Sequence, residues 1–243
     1  MNGVEFSRED LKQKVTLPSL SDPLLSYETG VHIGDGSLQL VSGGTHSVRF
    51  FGHSEEDWEF FSEYLPMAIK HLYNKDVQPT KRKDAKTCTL SICSKAVATF
   101  KSNVLGLPAG NKIQLKGLPD FVKVNEMLLK YCIRGIGDTD FGLYFHKDHR
   151  GVYSEPTLNC TMANEYIIRD LAFHLEKLGF RVKSKFKIPR ERNGKLNFEH
   201  KLDIYGKDQL IRWMEVIGFS NSHYTNKFLF WKKFGFCNPK PAK

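Results

Sequence analysis

The sequence predicts an α+β fold in which one αββαββα arrangement is built twice about a pseudo-twofold axis. Three observations point to it. Apolar residues recur at every second position in some stretches and at three- and four-residue steps in others, the spacings that set one face of a strand or helix against a core. The strand-like stretches come in pairs joined by short turns, as in hairpins. The whole order then recurs: Asp35 and Asp140 stand 105 positions apart, and superposing them puts Leu38 on Leu143 and Leu40 on Phe145.

Residues 1–20 are polar and charged and form an N-terminal extension. Ser21-Asp22-Pro23 then opens a helix, an N-cap oxygen followed by a proline whose missing N–H costs nothing at the first helical position. That helix runs to about Gly34 and ends in Gly34-Asp35-Gly36, before a strand carrying Leu38 and Leu40 on one side. Ser42-Gly43-Gly44 turns the chain into a strand over 45–53, with Val48 and Phe50 inward and Ser47, Arg49 and Phe51 outward. A long helix from about Glu55 to Tyr73 places Trp58, Phe61, Leu65, Ile69 and Leu72 in the core. Two strands within 77–94 flank the basic turn Lys81–Lys86, and a short helical stretch reaches Gly106.

The loop 110–117 separates a first half, 21–112, from a second half, 113–243. In the second, Asp120 is the expected N-cap of a helix from Phe121 to Asp138-Thr139-Asp140. A strand with Leu143 and Phe145 on one side follows, then a strand near 154–162, a helix over 164–178, a hairpin over 181–205 and two closing helical segments.

Composition narrows the class. The chain has 243 residues, 36 Lys+Arg against 27 Asp+Glu, a net charge of +9 and a pI near 9.2, a balance that favours an acidic partner. At 40% hydrophobic and 12% aromatic it is too apolar for a disordered basic tail. No run approaches the roughly 18 apolar residues of a membrane span. The opening MNGVEFSREDLKQK carries acids where a signal peptide has an apolar core, so the chain reads as intracellular and cytoplasmic, with no membrane partner. Five scattered cysteines without C-x-x-C spacing argue against a disulfide framework and a structural zinc.

Each half carries one device: a helix with a central glycine, Gly30 or Gly135, reaching an aspartate five residues later, Asp35 or Asp140. If the two helices pack side by side, glycine lets their backbones approach and both carboxylates emerge at helix C-termini. Two close carboxylates repel each other and the negative ends of the macrodipoles. A hard divalent cation held by oxygen ligands relieves both, and at a phosphodiester it supports hydrolysis.

Tyr27-Glu28-Thr29-Gly30-Val31-His32-Ile33-Gly34-Asp35-Gly36 and Cys132-Ile133-Arg134-Gly135-Ile136-Gly137-Asp138-Thr139-Asp140 resemble the two signature helices of a single-chain, archaeal-like LAGLIDADG homing endonuclease. The resemblance extends over nearly everything after residue 20. It includes Leu105-Gly106-Leu107-Pro108-Ala109-Gly110-Asn111-Lys112, and the closing Ile217-Gly218-Phe219, Asn226-Lys227 and Trp231-Lys232-Lys233-Phe234-Gly235-Phe236. It implies two antiparallel sheets forming a DNA-binding saddle. It also implies a monomer that cuts both strands of a long asymmetric site across the minor groove, leaves short 3′ overhangs and spreads its own intron. Metal, Mg2+ or another hard ion such as Mn2+ or Ca2+, is expected at Asp35 and Asp140 with Gly34 and Thr139. Lys112 and Lys227 are expected near the scissile phosphates.

Three departures from the family pattern stand out. Phe141 occupies the usual glycine position after the acid, Gly52 and Met162 fall where relatives often have a polar residue ordering water, and Ile33 replaces an acid that Asp138 keeps. Asp138 is therefore secondary to Asp140. An RNA maturase or a non-cleaving DNA-binding regulator of the same fold are the rival readings.

The basic ribbons are read as the DNA contacts. Between Lys177 and Lys201 lie nine Lys/Arg and two acids. Arg181, Lys183, Lys185 and Lys187 alternate with Val182, Ser184, Phe186 and Ile188, giving one cationic strand face suited to a major groove. Arg190, Arg192 and Lys195 flank the Asn193-Gly194 turn, and Arg49, Lys81, Arg82, Lys83 and Lys86 are the first-half counterparts. His32 and His146 read as packed or DNA-facing, and Trp213 and Trp231 as core or rim.

Overall fold

The structure, a computed structural model, describes residues 3–41, 44–82, 85–192 and 194–238. It forms two compact units, Met1–Gln114 with Pro119–Thr139, and Leu115–Leu118 with Asp140–Lys243.

In the first unit the extension contains α1 (Arg8–Lys12), closed by a reciprocal cap between Ser7 and Asp10. The Asp10 carboxylate also accepts from the backbone N–H groups of Lys95 and Ala96, 3.1 Å each, so it caps α4 (Lys95–Thr99) as well. Burial opposes the charge on Asp10, but hydrogen bonds from Ser94, Ser7 and Ala96 outweigh it and hold the carboxyl below its ordinary value.

α2 (Pro23–Asp35) starts as its sequence predicts: Asp22 accepts from the Leu24 N–H at 2.8 Å and Pro23 takes the first helical position. Every residue from Leu25 to Ile33 is buried, so this helix runs through the core instead of lying over it. Its end passes directly into β1 (Gly36–Gln39), the edge of an antiparallel sheet ordered β1-β2-β4-β3 with β2 (Ser47–His53), β3 (Thr80–Lys81) and β4 (Thr87–Cys93). Pairing puts Leu38, Val48 and Ile92 in one buried row and Ser37, Arg49 and Ser91 in a row of the opposite face. Leu40, expected on the same strand face as Leu38, lies beyond β1 and is 36% exposed, whereas Leu38 is buried.

The helix expected over 55–73 begins later and is not uniform. Residues 54–57 are turns, Phe60–Tyr64 winds as a wide π-type stretch, and α3 (Leu65–Tyr73) completes it. Pro66 has no N–H to give the preceding turn, and the wide turn upstream absorbs that loss. Phe61, Leu65, Ile69 and Leu72 are core as expected. Trp58 is half-exposed, with the Lys81 ammonium 3.9 Å from its ring centroid. A second π-type stretch, Phe100–Val104, follows α4.

The expected helix from Phe121 is broken. Asp120 opens a short α5 (Asp120–Lys123) and Pro119 precedes it, so Asp120 is not the N-cap. Asn125 caps α6 (Glu126–Asp140) instead, accepting from Leu128 N–H at 2.8 Å. By sequence α6 opens the second repeat, yet up to Thr139 it packs in the first unit.

The second unit has an antiparallel sheet ordered β5-β6-β8-β7, from β5 (Phe141–Lys147), β6 (Tyr153–Met162), β7 (Val182–Arg192) and β8 (Lys195–Tyr205). α7 (Glu165–Lys177), capped by Asn164, buries Ile167, Ile168, Leu171 and Leu175; α8 (Lys207–Val216) and α9 (Ser222–Phe234) follow. Trp213 is fully buried against Phe141 and Phe180, and Trp231 is nearly so, its indole N–H donating to Ser154 O at 3.0 Å. Leu115–Leu118 belongs here because Asn164 donates to Leu115 O and Asp170 accepts from Leu118 N–H.

Candidate active site and nucleic-acid interface

α2 and α6 meet at the paired glycines. A Cβ on Gly30 would stand 2.0 Å from Cys132 O, and one on Gly135 would stand 2.1 Å from Tyr27 O. Backbone touches backbone there, so no side chain fits at either position. Asp35 and Asp140 are the last residues of their helices, both half-buried. Asp138, buried to 3% exposure, accepts from the Tyr27 hydroxyl at 2.7 Å; its carboxylate braces the helix pair.

The C-terminus of α2 is held from outside. The Lys112 ammonium donates to Ile33 O at 2.8 Å, to His32 O at 3.3 Å and to Gly34 O. Lys112 sits in a short 3-10 turn, Lys112–Gln114, that Gly110 N–H ties to Leu38 O of β1 at 3.0 Å. The matching Lys227 lies inside α9, 5.7 Å from the Tyr224 ring centroid, so the two lysines occupy different local structures.

At the other helix end the Thr139 hydroxyl donates back to the carbonyls of Gly135 and Ile136, 3.1 and 3.2 Å away. Asp140 is close enough to β6 that, after burial, its charge helps push the Cys160 thiol well above its ordinary pKa. Among the described residues no three His, Cys, Asp or Glu side chains gather into a metal cage. Each helix end instead offers one carboxylate beside main-chain carbonyls. That all-oxygen, sparse donor set suits a hard divalent ion that keeps several waters and takes substrate phosphate oxygens as ligands.

The exposed sheet faces carry many of the expected DNA-contact residues. Arg49 projects from β2 between Ser37 and Ser91. Lys81, Arg82 and Lys86 are exposed about the β3–β4 connection, while Lys83 lies outside the described residues, as do Ser42, Gly43 and Asn193 of the expected turns. On β7, Lys183 and Lys185 are exposed opposite Asp203 and Lys201. The expected alternation then breaks. A bulge places Phe186 and Lys187 together against His200, with Lys187 at φ 55°, and pairs Ile188 with Glu199. Ile188, not Lys187, therefore continues the row of Lys183 and Lys185. Arg181 precedes β7 and pairs with Asp208 at 2.7 Å; Arg190 pairs with Glu199 at 2.6 Å. Arg192 and Lys195 face each other at the hairpin end, where the structure describes their backbone.

Two groups escaped the sequence reading. Glu28 and Lys101 form a fully buried ion pair at 2.6 Å, with the Tyr73 hydroxyl donating to the same carboxylate oxygen at 3.2 Å. Burial draws the Lys101 ammonium below its ordinary pKa against the pull of Glu28, and burial with Glu28 drives Tyr73 well above its own. The available signal was a charged residue in the middle of an otherwise apolar signature helix. On the second sheet Asp203, 3% exposed, accepts from Asn159 at 2.8 Å and pairs with Lys201 at 3.0 Å, which sets a carboxylate amid the cationic face. Its alternation with Leu202 and Ile204 marks it as outward-facing.

The departures have physical causes. Phe141 is 1% exposed and packs against Trp213 with the rings tilted and their centroids 5.0 Å apart; it is a core residue that begins β5. A Cβ on Gly52 would lie 2.4 Å from the Phe61 ring, so a side chain there has no space. Met162 ends β6 opposite His200.

Set beside solved structures, this arrangement is the LAGLIDADG homing endonuclease fold, in its single-chain, two-motif form. Variants of the homing endonuclease I-DmoI match with a TM-score of 0.56 and 18% identity over 82% of this chain and 97% of theirs. The LAGLIDADG homing endonuclease I-GzeII in complex with its DNA target matches at 0.52 and 10%, covering 88% and 89% of the two chains. I-WcaI bound to its DNA recognition sequence matches at 0.54 and 15%, covering 87% of each. I-DmoI has been solved with DNA and Mn and with DNA and Ca, and a point variant of it with target DNA in the presence of Mg. At these identities the likeness is one of fold. No family model and no curated protein matches the sequence.

Proposed function

We propose that this chain is a site-specific double-strand DNA endonuclease of the intron-homing kind, monomeric, acting on a long asymmetric duplex site by divalent-metal-dependent phosphodiester hydrolysis. The observation that carries the reading is the glycine-to-backbone meeting of α2 and α6, each helix ending five residues later in an aspartate that opens a four-stranded antiparallel sheet. The duplication divides into the extension 1–20 and the halves 21–112 and 113–243, so one chain supplies both acids and needs no protein partner.

In this reading Asp35 and Asp140, with the carbonyls of Gly34 and Thr139, hold Mg2+ or a similar hard ion. When bound, such an ion lowers the pKa of water and stabilises charge developing at phosphorus. Lys227 neutralises a backbone phosphate. Arg49, Lys81, Arg82, Lys83 and Lys86 on one ribbon, and Lys183, Lys185, Lys187, Arg192 and Lys195 on the other, hold phosphates and reach base edges. Arg181 and Arg190 exchange their partners, exposed Asp208 and half-buried Glu199, for phosphates; surface pairs are worth about 1 kcal/mol or less and yield readily.

The test is Mg2+-dependent cleavage of a large random or genomic DNA pool, with the cut ends sequenced and chelator as control. Asp35→Asn and Asp140→Asn are each expected to abolish double-strand cleavage while binding to the recovered site persists. Normal cleavage by either variant would sink the two-acid mechanism. Binding of RNA with no DNA cleavage by the wild type would favour the maturase instead.

A further inference from the structure

We infer that Lys112 is a positioning residue for Asp35, acting through the end of α2; the inference rests on the endonuclease reading of Asp35. A helix leaves its last carbonyls without intrahelical donors, and many helices satisfy them by closing in a left-handed residue. α3 and α9 do so, at Asn74 (φ 52°) and Gly235 (φ 77°). α2 does not: Gly36 is extended at φ −84°, because the chain must enter β1 at once, and its N–H donates to His32 O.

Lys112 supplies the missing closure. Its ammonium has three hydrogens, and three consecutive carbonyls, those of His32, Ile33 and Gly34, accept from it. The loop is built to deliver it: Gly110 N–H is tied to Leu38 O, and Asn111 Oδ1 accepts from Ile113 N–H, both at 3.0 Å. The positive charge also stands at the negative end of the α2 dipole. Gly34 O, nominated beside Asp35 as a metal ligand, is thereby oriented by an outer hydrogen-bond partner. Loss of such partners typically weakens metal binding by roughly 10- to 100-fold.

Charge and positioning predict opposite signs. Deleting a nearby cation without disturbing the ligands strengthens binding of a divalent cation; loosening the helix end weakens it. Mn2+ alone is titrated into the full-length wild type, Lys112→Met and Asp35→Asn, with amide exchange followed at Gly36. Lys112→Met is expected to lose roughly tenfold in Mn2+ affinity and to exchange Gly36 faster. Equal or tighter Mn2+ binding, with unchanged Gly36 exchange, overturns the positioning role. Asp35→Asn with wild-type affinity overturns the underlying assignment of Asp35 instead, so the two failures are separable. Should Lys112→Met not fold, Lys112→Arg serves: its planar guanidinium keeps the charge but does not converge on three successive carbonyls. An Arg variant equal to wild type in both readouts overturns the proposal.

Discussion

At the residue scale the two repeats exchange bulk between matching positions. Gly36 is small because a Cβ there would lie 2.5 Å from both the Cα and the carbonyl oxygen of His32, one helical turn earlier. The matching pair in the second repeat is Gly137 and Phe141, with the bulky residue at the strand start. Phe141→Ala is expected to cost about 3–5 kcal/mol through the cavity left against Trp213, read as a fall in denaturant midpoint. Gly30→Ala forces the helices apart at a backbone contact and should cost about 2 kcal/mol or more on the same scale. A Gly30→Ala protein as stable as the wild type would mean the helices do not meet there. His32 is buried in the first unit at 1% exposure. Burial, then Lys101 and Lys112, hold its pKa well below the ordinary value. Its contribution is thus complete above about pH 6.5 and is lost as pH falls below that, because the unfolded chain takes up the proton first. Melting temperature should drop less between pH 8 and pH 5 in His32→Gln than in wild type.

At the element scale α2 combines complete burial with a charged side chain. Glu28 stands two residues before the crossing glycine and is matched by Lys101. Removing one member leaves an uncompensated buried charge, so Lys101→Met should cost about 3–5 kcal/mol, while Glu28→Leu with Lys101→Met should recover much of it. A double-mutant cycle with no coupling would exclude the pair as a stabilising unit. β7 shows how one bulge alters a cationic strand face. Lys183 and Lys185 share the exposed face with Ile188, whereas Lys187 stands beside Phe186 against His200. If the chain binds DNA as proposed, neutralising Lys183 or Lys185 singly should each reduce the salt slope by roughly one, and neutralising Lys187 should reduce it by less than either. Equal effects would return Lys187 to the cationic row.

At the scale of the whole molecule, sequence repeat and compact unit do not coincide. α6 begins the second repeat in the chain but is packed with the first unit, since a helix whose glycine admits another backbone is bound to that partner. The extension is likewise integral to the first unit. Asp10 caps α4, Lys75 is shared between Gln13 and Cys93 O, and Thr16 N–H reaches Tyr73 O. Removing residues 3–20 should lower the melting temperature of the first unit and leave the second largely unchanged, as two-probe unfolding would show; a single unshifted transition would mean the extension contributes nothing.

Much of this was legible in the chain. Periodicity located the helices and hairpins, because a two- or three-and-a-half-residue rhythm is a local consequence of burying one face. The recurrence of glycine and aspartate at equal spacing identified the two signature helices, because the meeting of backbones excludes side chains at one position of each. What stayed hidden depends on contacts between distant segments. That Glu28 has Lys101 as partner, that Lys112 closes α2, that Phe141 is core, and that a bulge turns Lys187 out of its row are pairings of residues far apart in sequence or shifts of register. No spacing rule contains them. The sequence by itself determined which residues carry charge and at what spacing; tertiary structure decided which of them are held, and by what, because burial and hydrogen bonding are properties of neighbours that only folding supplies.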